Sequence, residues 1–456
     1  MQEGGSVVFD VFDVTTSFDY QCFEAFFTKF FSCPSAADTR TYYNGVETIA
    51  HNLFVSFAHK YSDFTLLLLV KVYFKNLDGI RFCAAFLVLL QHSFGFKQGY
   101  SDSVPFVDRL FSDTGNLGVN LFFILSGFLI SYLLLVEKDA TGTVSYRSFY
   151  VRRILRIWPL YLGYGLILTF VSPYVADKLG WGNDTTFPLM MLNLVFLLIF
   201  SVNMQIAFIG ANRGMFEISW SVCIEEQFYL VWPLLMNNFR KKLVGLLVVM
   251  FGISILVRVL IVFLLPHVIT SWTPDRFPLM NHLLLFDKLD LFGGGLFIAM
   301  LYRQRERFAT FFRVCFRPWI QVVMTLLALL YTLSLIKPHG EYFELFVGHY
   351  VCDILYGYVL LAAVAGNSIY RLEKPLLKTL GRVSFGIYLF HTAVCQFVLL
   401  FFRKVIGHPE WRLVYDLVYP LACLAVTGVI AWCSYNYYEM WFLKKKRKFE
   451  LVFTRV

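Results

Sequence analysis

Several apolar stretches of this sequence carry side chains that hydrocarbon should exclude, of the kinds used in acid–base and anion chemistry. LDGIRFCAAFLVLLQH (77–92) holds Arg81 and His92, eleven residues apart. On a helix that spacing is close to three turns, so the two share a face about 16 Å apart. Imidazole is the side chain best suited to moving a proton near neutral pH. A lone histidine on an apolar helix reads as a satisfied core residue, and the arginine on the same face tips the reading towards function. FYVRRILRIWPLYL (149–162) places Arg152, Arg153 and Arg156 at one end of an apolar run, the last two on one helical face. Such a cluster is either a topology signal or a clamp for phosphate, which guanidinium grips in bidentate fashion. EISWSVCIEEQFYLVWPLL (217–235) carries the adjacent carboxylates Glu225 and Glu226, with Trp220 and Ser221 one turn earlier. Neither glutamate is tenable against lipid. A carboxylate beside a histidine orients the imidazole and holds its tautomer.

Other polar interruptions have plainer readings. In GVNLFFILSGFLI (118–130), Gly118 and Gly127 permit close helix packing, which accounts for most of that motif around Asn120 and Ser126. Asp287, Lys288 and Asp290 read as an internally paired ion cluster. SFGIYLFH (384–391) contributes Tyr388 and His391, the histidine read as structural.

The elements that must position these residues are membrane helices. Of 456 residues, 58% are hydrophobic and only 16% charged, against roughly 25% charged in globular chains; the mean hydropathy is +0.62. The 50 Phe and 26 Tyr suit a bilayer and its interfaces, and no soluble fold hides so much apolar surface. Runs that could be transmembrane helices are 80–97, 118–136, 157–172, 188–206, 218–236, 243–265, 283–301, 318–336, 346–366, 383–403 and 413–438. Basic clusters at Lys71/Lys75, Arg147–Arg156, Arg240–Lys242, Arg303–Arg317, Arg371–Arg382 and Lys444–Lys448 mark the cytoplasmic connectors. Between 173 and 240 the charge pattern demands an odd number of crossings where two runs lie, so one is partial: 188–206 is taken as partial and 218–236 as crossing, with the reverse assignment left open. The expected fold is an all-α integral membrane protein. It is a bundle of about ten transmembrane helices plus one re-entrant or interfacial helix, with both termini cytoplasmic in a cell inner (plasma) membrane.

The domain plan is an N-terminal extension over 1–70, a membrane domain over 71–443, and a basic cytoplasmic tail over 444–456 whose KKKRK run reads first as a solvated tail and otherwise as a positive-inside anchor on the anionic leaflet. Residues 1–70 lack a clear span except at 51–70; they are an extra domain or the result of too early a start codon, since a start near Val70 would put a short basic leader before the first helix. The net charge of +9 sits in topology clusters, so nucleic acid is not expected as a partner. Nine scattered Cys with no CxxC spacing give no reason to expect a disulfide framework or a metal site, and the polar, acidic N-terminus does not resemble a signal peptide.

Over roughly 75–440 the chain resembles the acyltransferase-three family of membrane-bound O-acyltransferases, bacterial enzymes that decorate surface polysaccharides and other exported molecules. The LDGIR opening, the Arg-x10-His spacing, GVNLFFILSGFLI, the RRxxR stretch, WSVCIEEQFYLVWP and SFGIYLFH occur in the family's order; the ordered set is specific where each motif alone is weak. The resemblance implies about ten spans. It also implies that His92 is catalytic with Arg81 beside it, that Arg153 and Arg156 handle acyl-CoA, and that Trp220, Ser221 and Glu225/Glu226 help build the active site; Asp290, Tyr388 and His391 are added as candidates for its support. Asn120 stands where many relatives carry an acid and Lys288 where Arg is common; residues 1–70 have no counterpart, and the expected form is the one without a hydrolase-like domain after the last helix. The expected reaction moves an acyl group, taken as acetyl, from acyl-CoA as donor substrate to a hydroxyl of a saccharide or lipid-linked glycan, with no bound cofactor, directly or through an acyl-histidine. A transporter or flippase would use the same intramembrane His, Glu and Arg, but would favour an inverted repeat, and none is visible.

Overall fold

The computed structural model describes residues 70–98, 105–178, 187–210, 217–239, 242–273, 276–338, 340–408, 410–449 and 452–454. The chain divides into two units, 1–68 and 69–456, and everything described belongs to the second. The N-terminal extension, and the choice of start within it, lie outside the described residues.

The described part is helical apart from one short parallel strand pair, β1 (Val70–Val72) with β2 (Val452–Thr454). In chain order the principal helices are α1 (Leu77–Lys97), α2 (Thr114–Thr141), α3 (Tyr146–Lys178), α4 (Phe187–Leu198), α5 (Trp220–Asn238), α6 (Leu243–Val259), α7 (Leu289–Arg303), α8 (Pro318–Thr332), α9 (His349–Val364), α10 (Ser384–Val405) and α11 (Tyr419–Ser434). One falls in each apolar run named above. Seven helices among the described residues are long and apolar enough to cross a membrane, or eight if Ala309–Cys315 and α8, bent by 66°, form one span.

The expected count of about ten is therefore not reached by length and composition. Two helices account for much of the gap. α5 has 19 residues, long enough at about 28 Å, but Glu225, Glu226 and Gln227 dilute its hydropathy. α7 has only 15 residues. Both are packed against other helices, so neither must be apolar on every face. α4 is 12 residues long, about 18 Å, short of the hydrocarbon thickness. The chain then turns at Phe200, whose φ is 53°, into the seven-residue helix Val202–Phe208.

α2 is the centre of the bundle. Within the span Phe106–Thr141, 72% of the most apolar window is buried, against 28% for Leu243–Val268. The outer face of α6 exposes Val244, Val248 and Leu256, a surface that only lipid covers favourably. Glycines let α2 sit so deep: a Cβ on Gly127 would lie 2.4 Å from the Phe292 carbonyl oxygen of α7, and one on Gly118 would lie 2.6 Å from that of Ala84 in α1. The expected packing role of both glycines thus has a geometric cause. A second, smaller apolar cluster joins α1, α10 and α11 around Leu89, Ile387 and Tyr419. These contacts fix α1, α2, α3, α5 and α10 around a common space.

Candidate active site

That space is a cavity enclosing about 830 Å³, open solvent at its mouth included. α1 contributes Arg81, α2 Ser126, α3 Arg153 and Arg156, α5 Ser221 and Glu225, and α10 Tyr388. The Glu225 carboxylate accepts hydrogen bonds from the hydroxyls of Ser126 and Tyr229. Arg153 lies over the Tyr229 ring, 5.1 Å from its centroid, and its buried Nε has no hydrogen-bond partner among the described residues. Among the described residues neither Arg153 nor Arg156 is in an ion pair, whereas Arg81 is held by Asp78 at 3.2 Å. Unneutralised guanidinium groups in a cleft form a ready anion site.

A smaller cavity of about 540 Å³ shares Leu129, Ile130, Arg153 and Arg156 with the first, and adds Arg152, Glu137 and Lys446. Arg152 is paired to Glu137 at 3.1 Å and donates to the Phe449 carbonyl at 2.7 Å. The basic tail thereby packs against the arginine helix, and Lys446 is buried. The two cavities together make a cation-lined space suited to an anionic ligand.

His92 is not on the wall of either cavity. It is half-buried, and its ring centroid lies 5.0 Å from that of His391. His391 is fully buried; its Nδ1 lies 2.6 Å from the Tyr388 carbonyl oxygen, and its Nε2 has no hydrogen-bond partner among the described residues. Tyr388 connects this pair to the larger cavity. Its hydroxyl donates to the Ile218 carbonyl at 3.0 Å, so the 2.6 Å bond with Ser221 must run from the serine hydroxyl to the tyrosine oxygen.

The expected pairing of a glutamate with His92 is not among the contacts. Glu225 faces the arginine cavity, and Glu226 accepts from Trp158 Nε1 at 2.9 Å. Two adjacent acids on a helix face different neighbours because each residue advances about 100°. Trp220 stands between the cavity and another polar region, its ring 4.8 Å from His282 and 6.4 Å from Phe123.

That region holds Asp290 and is the internally paired ion cluster expected at 287–290. Arg258 binds Asp287 and Asp290, each at 2.6 Å. Lys288 binds Asp287 at 2.8 Å, and His349 approaches Asp290 at 3.3 Å. Arg258, His349, His282 and the buried Asp353 escape the sequence reading. Arg258 carries the clearest missed signal, a charge within the apolar run 243–265.

A family model described as an acyltransferase domain matches residues 74–435. The peptidoglycan O-acetyltransferase OatA of Listeria monocytogenes is 23% identical over 382 residues, covering 80% of this chain and 55% of that protein. A protein of Bacillus subtilis provisionally named as a peptidoglycan O-acetyltransferase is 29% identical over 164 residues, 36% of this chain and 23% of its own length. One of Staphylococcus aureus, provisionally named as an O-acetyltransferase, is 27% identical over 203 residues, 42% of this chain and 30% of its own. The chain thus spans about half the length of the Listeria relative and less of the other two. No solved structure matches it.

Proposed function

The chain belongs to this acyltransferase family, matched over residues 74–435, and from that premise we propose that it is a multi-pass membrane O-acetyltransferase that carries acetyl from acyl-CoA to a hydroxyl of a saccharide or lipid-linked glycan of the cell envelope. The observation that carries the reading is the convergence of Arg81, Arg153, Arg156 and Glu225 on one cavity that reaches, through Tyr388, the His92–His391 pair.

Arg153 and Arg156 would hold the donor's phosphates, with Arg152 and Lys446 extending the basic lining. The acyl-bearing arm then runs along α1 from Arg81 towards His92, a rise of about 16 Å. A hydroxyl is a poor nucleophile until a base takes its proton. His92 accepts that proton as the hydroxyl oxygen attacks the thioester carbonyl; the C–S bond breaks, and the imidazolium returns the proton to the departing thiolate. General-base assistance of this kind contributes about 10²–10⁴-fold. Glu225, fixed by Ser126 and Tyr229, offsets part of the positive charge of the cavity while leaving the arginines free. In this reading α5 and α7 cross the membrane with the apolar helices, giving about ten spans in the inner membrane with both termini cytoplasmic.

The test is His92→Ala, followed by mass spectrometry of envelope glycans from cells with and without the gene. Expected is loss of the acetyl mass increment with the protein still present in the membrane fraction. Retained acetylation in that variant removes the base assignment, and the glycan that changes mass identifies the acceptor.

A further inference from the structure

A histidine that acts as a base needs one ring nitrogen held protonated so that the other is free, and no carboxylate among the described residues bonds to His92. What lies against it is His391, with ring centroids 5.0 Å apart and planes inclined by 53°. The surroundings of His391 decide its own protonation. Its Nδ1 is 2.6 Å from the Tyr388 carbonyl oxygen, and a carbonyl oxygen only accepts, so Nδ1 carries the hydrogen and Nε2 is left as a bare lone pair. That Nε2 is buried and has no hydrogen-bond partner among the described residues. A sealed, unmatched acceptor is costly and calls for an explanation.

We propose that His391 is the positioning residue for His92: its Nε2 lone pair accepts the hydrogen of whichever His92 ring nitrogen faces it, which fixes the tautomer of His92 and leaves the opposite nitrogen basic. The role is one that a carboxylate often fills, here taken by a neutral imidazole. His391 is well placed for it because α10 holds the ring by its other nitrogen. Its Nδ1 is tied to the Tyr388 carbonyl, and the Tyr388 side chain is itself anchored to Ile218 and Ser221. His92, by contrast, has ring contacts with His391 and, at 5.9 Å, Phe96 and no hydrogen bond among the described residues, so no bond has to break for its ring to turn onto the waiting acceptor. Catalytic hydrogen bonds are commonly loose in the empty enzyme and tighten with substrate bound. The inference rests on His92 being the base.

Two substitutions separate positioning from packing. His391→Phe keeps a flat ring but removes the acceptor, whereas His391→Gln can present its amide oxygen close to the position of Nε2. Expected is a fall in kcat of about 10²-fold for H391F with donor KM and thermal stability in detergent unchanged, and recovery to within about tenfold of wild type for H391Q. On protein labelled with 15N-histidine, the His92 resonances, identified by their loss in His92→Gln, should report one tautomer in the wild type and a mixture in H391F. Equal kcat for H391F and H391Q, or an unchanged His92 tautomer in H391F, overturns the proposal. Should H391F fail to fold, His391→Asn, whose amide is too short to reach the Nε2 position, takes its place against H391Q on the same criteria. An active H92Q would defeat the base reading itself, whereas an inactive H92Q beside a fully active H391F defeats only the role given to His391.

Discussion

Two charged regions lie inside this helical bundle, and they are built on opposite principles. Around Arg258 most of the charge is matched: one guanidinium serves two aspartates, and Lys288 sits on the second oxygen of Asp287, while the buried Asp353 carboxyl has no hydrogen-bond partner among the described residues. These residues are buried, and neither cavity described above includes them. Around Arg153 and Arg156 the cations outnumber their partners and face open space. A charge taken out of water is tolerable only when paired. The matched set therefore has the economy of a strut, and the unmatched set has that of a binding site waiting for anionic charge. Both look alike in the sequence, as ionisable residues in apolar runs; only the pairing separates them.

Loss of the Arg258 cation should disturb the molecule most. Arg258→Met leaves Asp287 and Asp290 as buried acids that have lost a cation, at a cost of about 3–5 kcal/mol. The variant should lose most of its folded population, read as the fraction surviving mild heating in detergent by size-exclusion chromatography. Adding Asp290→Asn should recover part of that loss. If R258M is as heat-resistant as the wild type, the strut reading is wrong. In the open cavity the same measurement should move little. Arg153→Gln with Arg156→Gln should instead raise the donor KM by about 10-fold or more, since charge-assisted contacts are worth about 1.5–3 kcal/mol each, while the acceptor KM stays near its original value. An unchanged donor KM would reduce the two arginines to topology signals.

The sequence alone carries a good part of this picture, and its limits have physical reasons. Helices such as α1 and α10 are legible because long apolar runs have few other uses. α5 and α7 are harder to count as spans, because a helix enclosed by others may carry acids or be short, and hydropathy averages cannot tell enclosure from exposure. The cavity residues Arg81, Arg153, Arg156, Ser221, Glu225 and Tyr388 are legible singly, since lipid excludes most of them. Their partners are not. Helical phase says which residues share a face of one helix, but nothing local says which face of another helix meets it; so the neighbour of His92 is His391 on α10 and neither glutamate on α5. Arg258 meets the same criterion as Arg81, yet its aspartates lie about 30 positions away, beyond any spacing rule.

The smallest expected effect comes from Glu217, at the margin between enclosed and open regions. It precedes α5 beside Ile218, whose carbonyl accepts from Tyr388. Burial pushes its carboxyl up to about 7. The folded state thus binds the proton more tightly than the unfolded chain, where the value is the ordinary 4.5. Stability from this group is complete below the unfolded value, declines as pH rises through the folded one, and is flat above it. Glu217→Gln removes the titration, so the melting temperature of the variant should vary less between those limits, by roughly 1–3 °C after allowance for the solvent that reaches the side chain. Parallel profiles for wild type and E217Q would place Glu217 in water, and with it the start of α5 outside the enclosed part of the site.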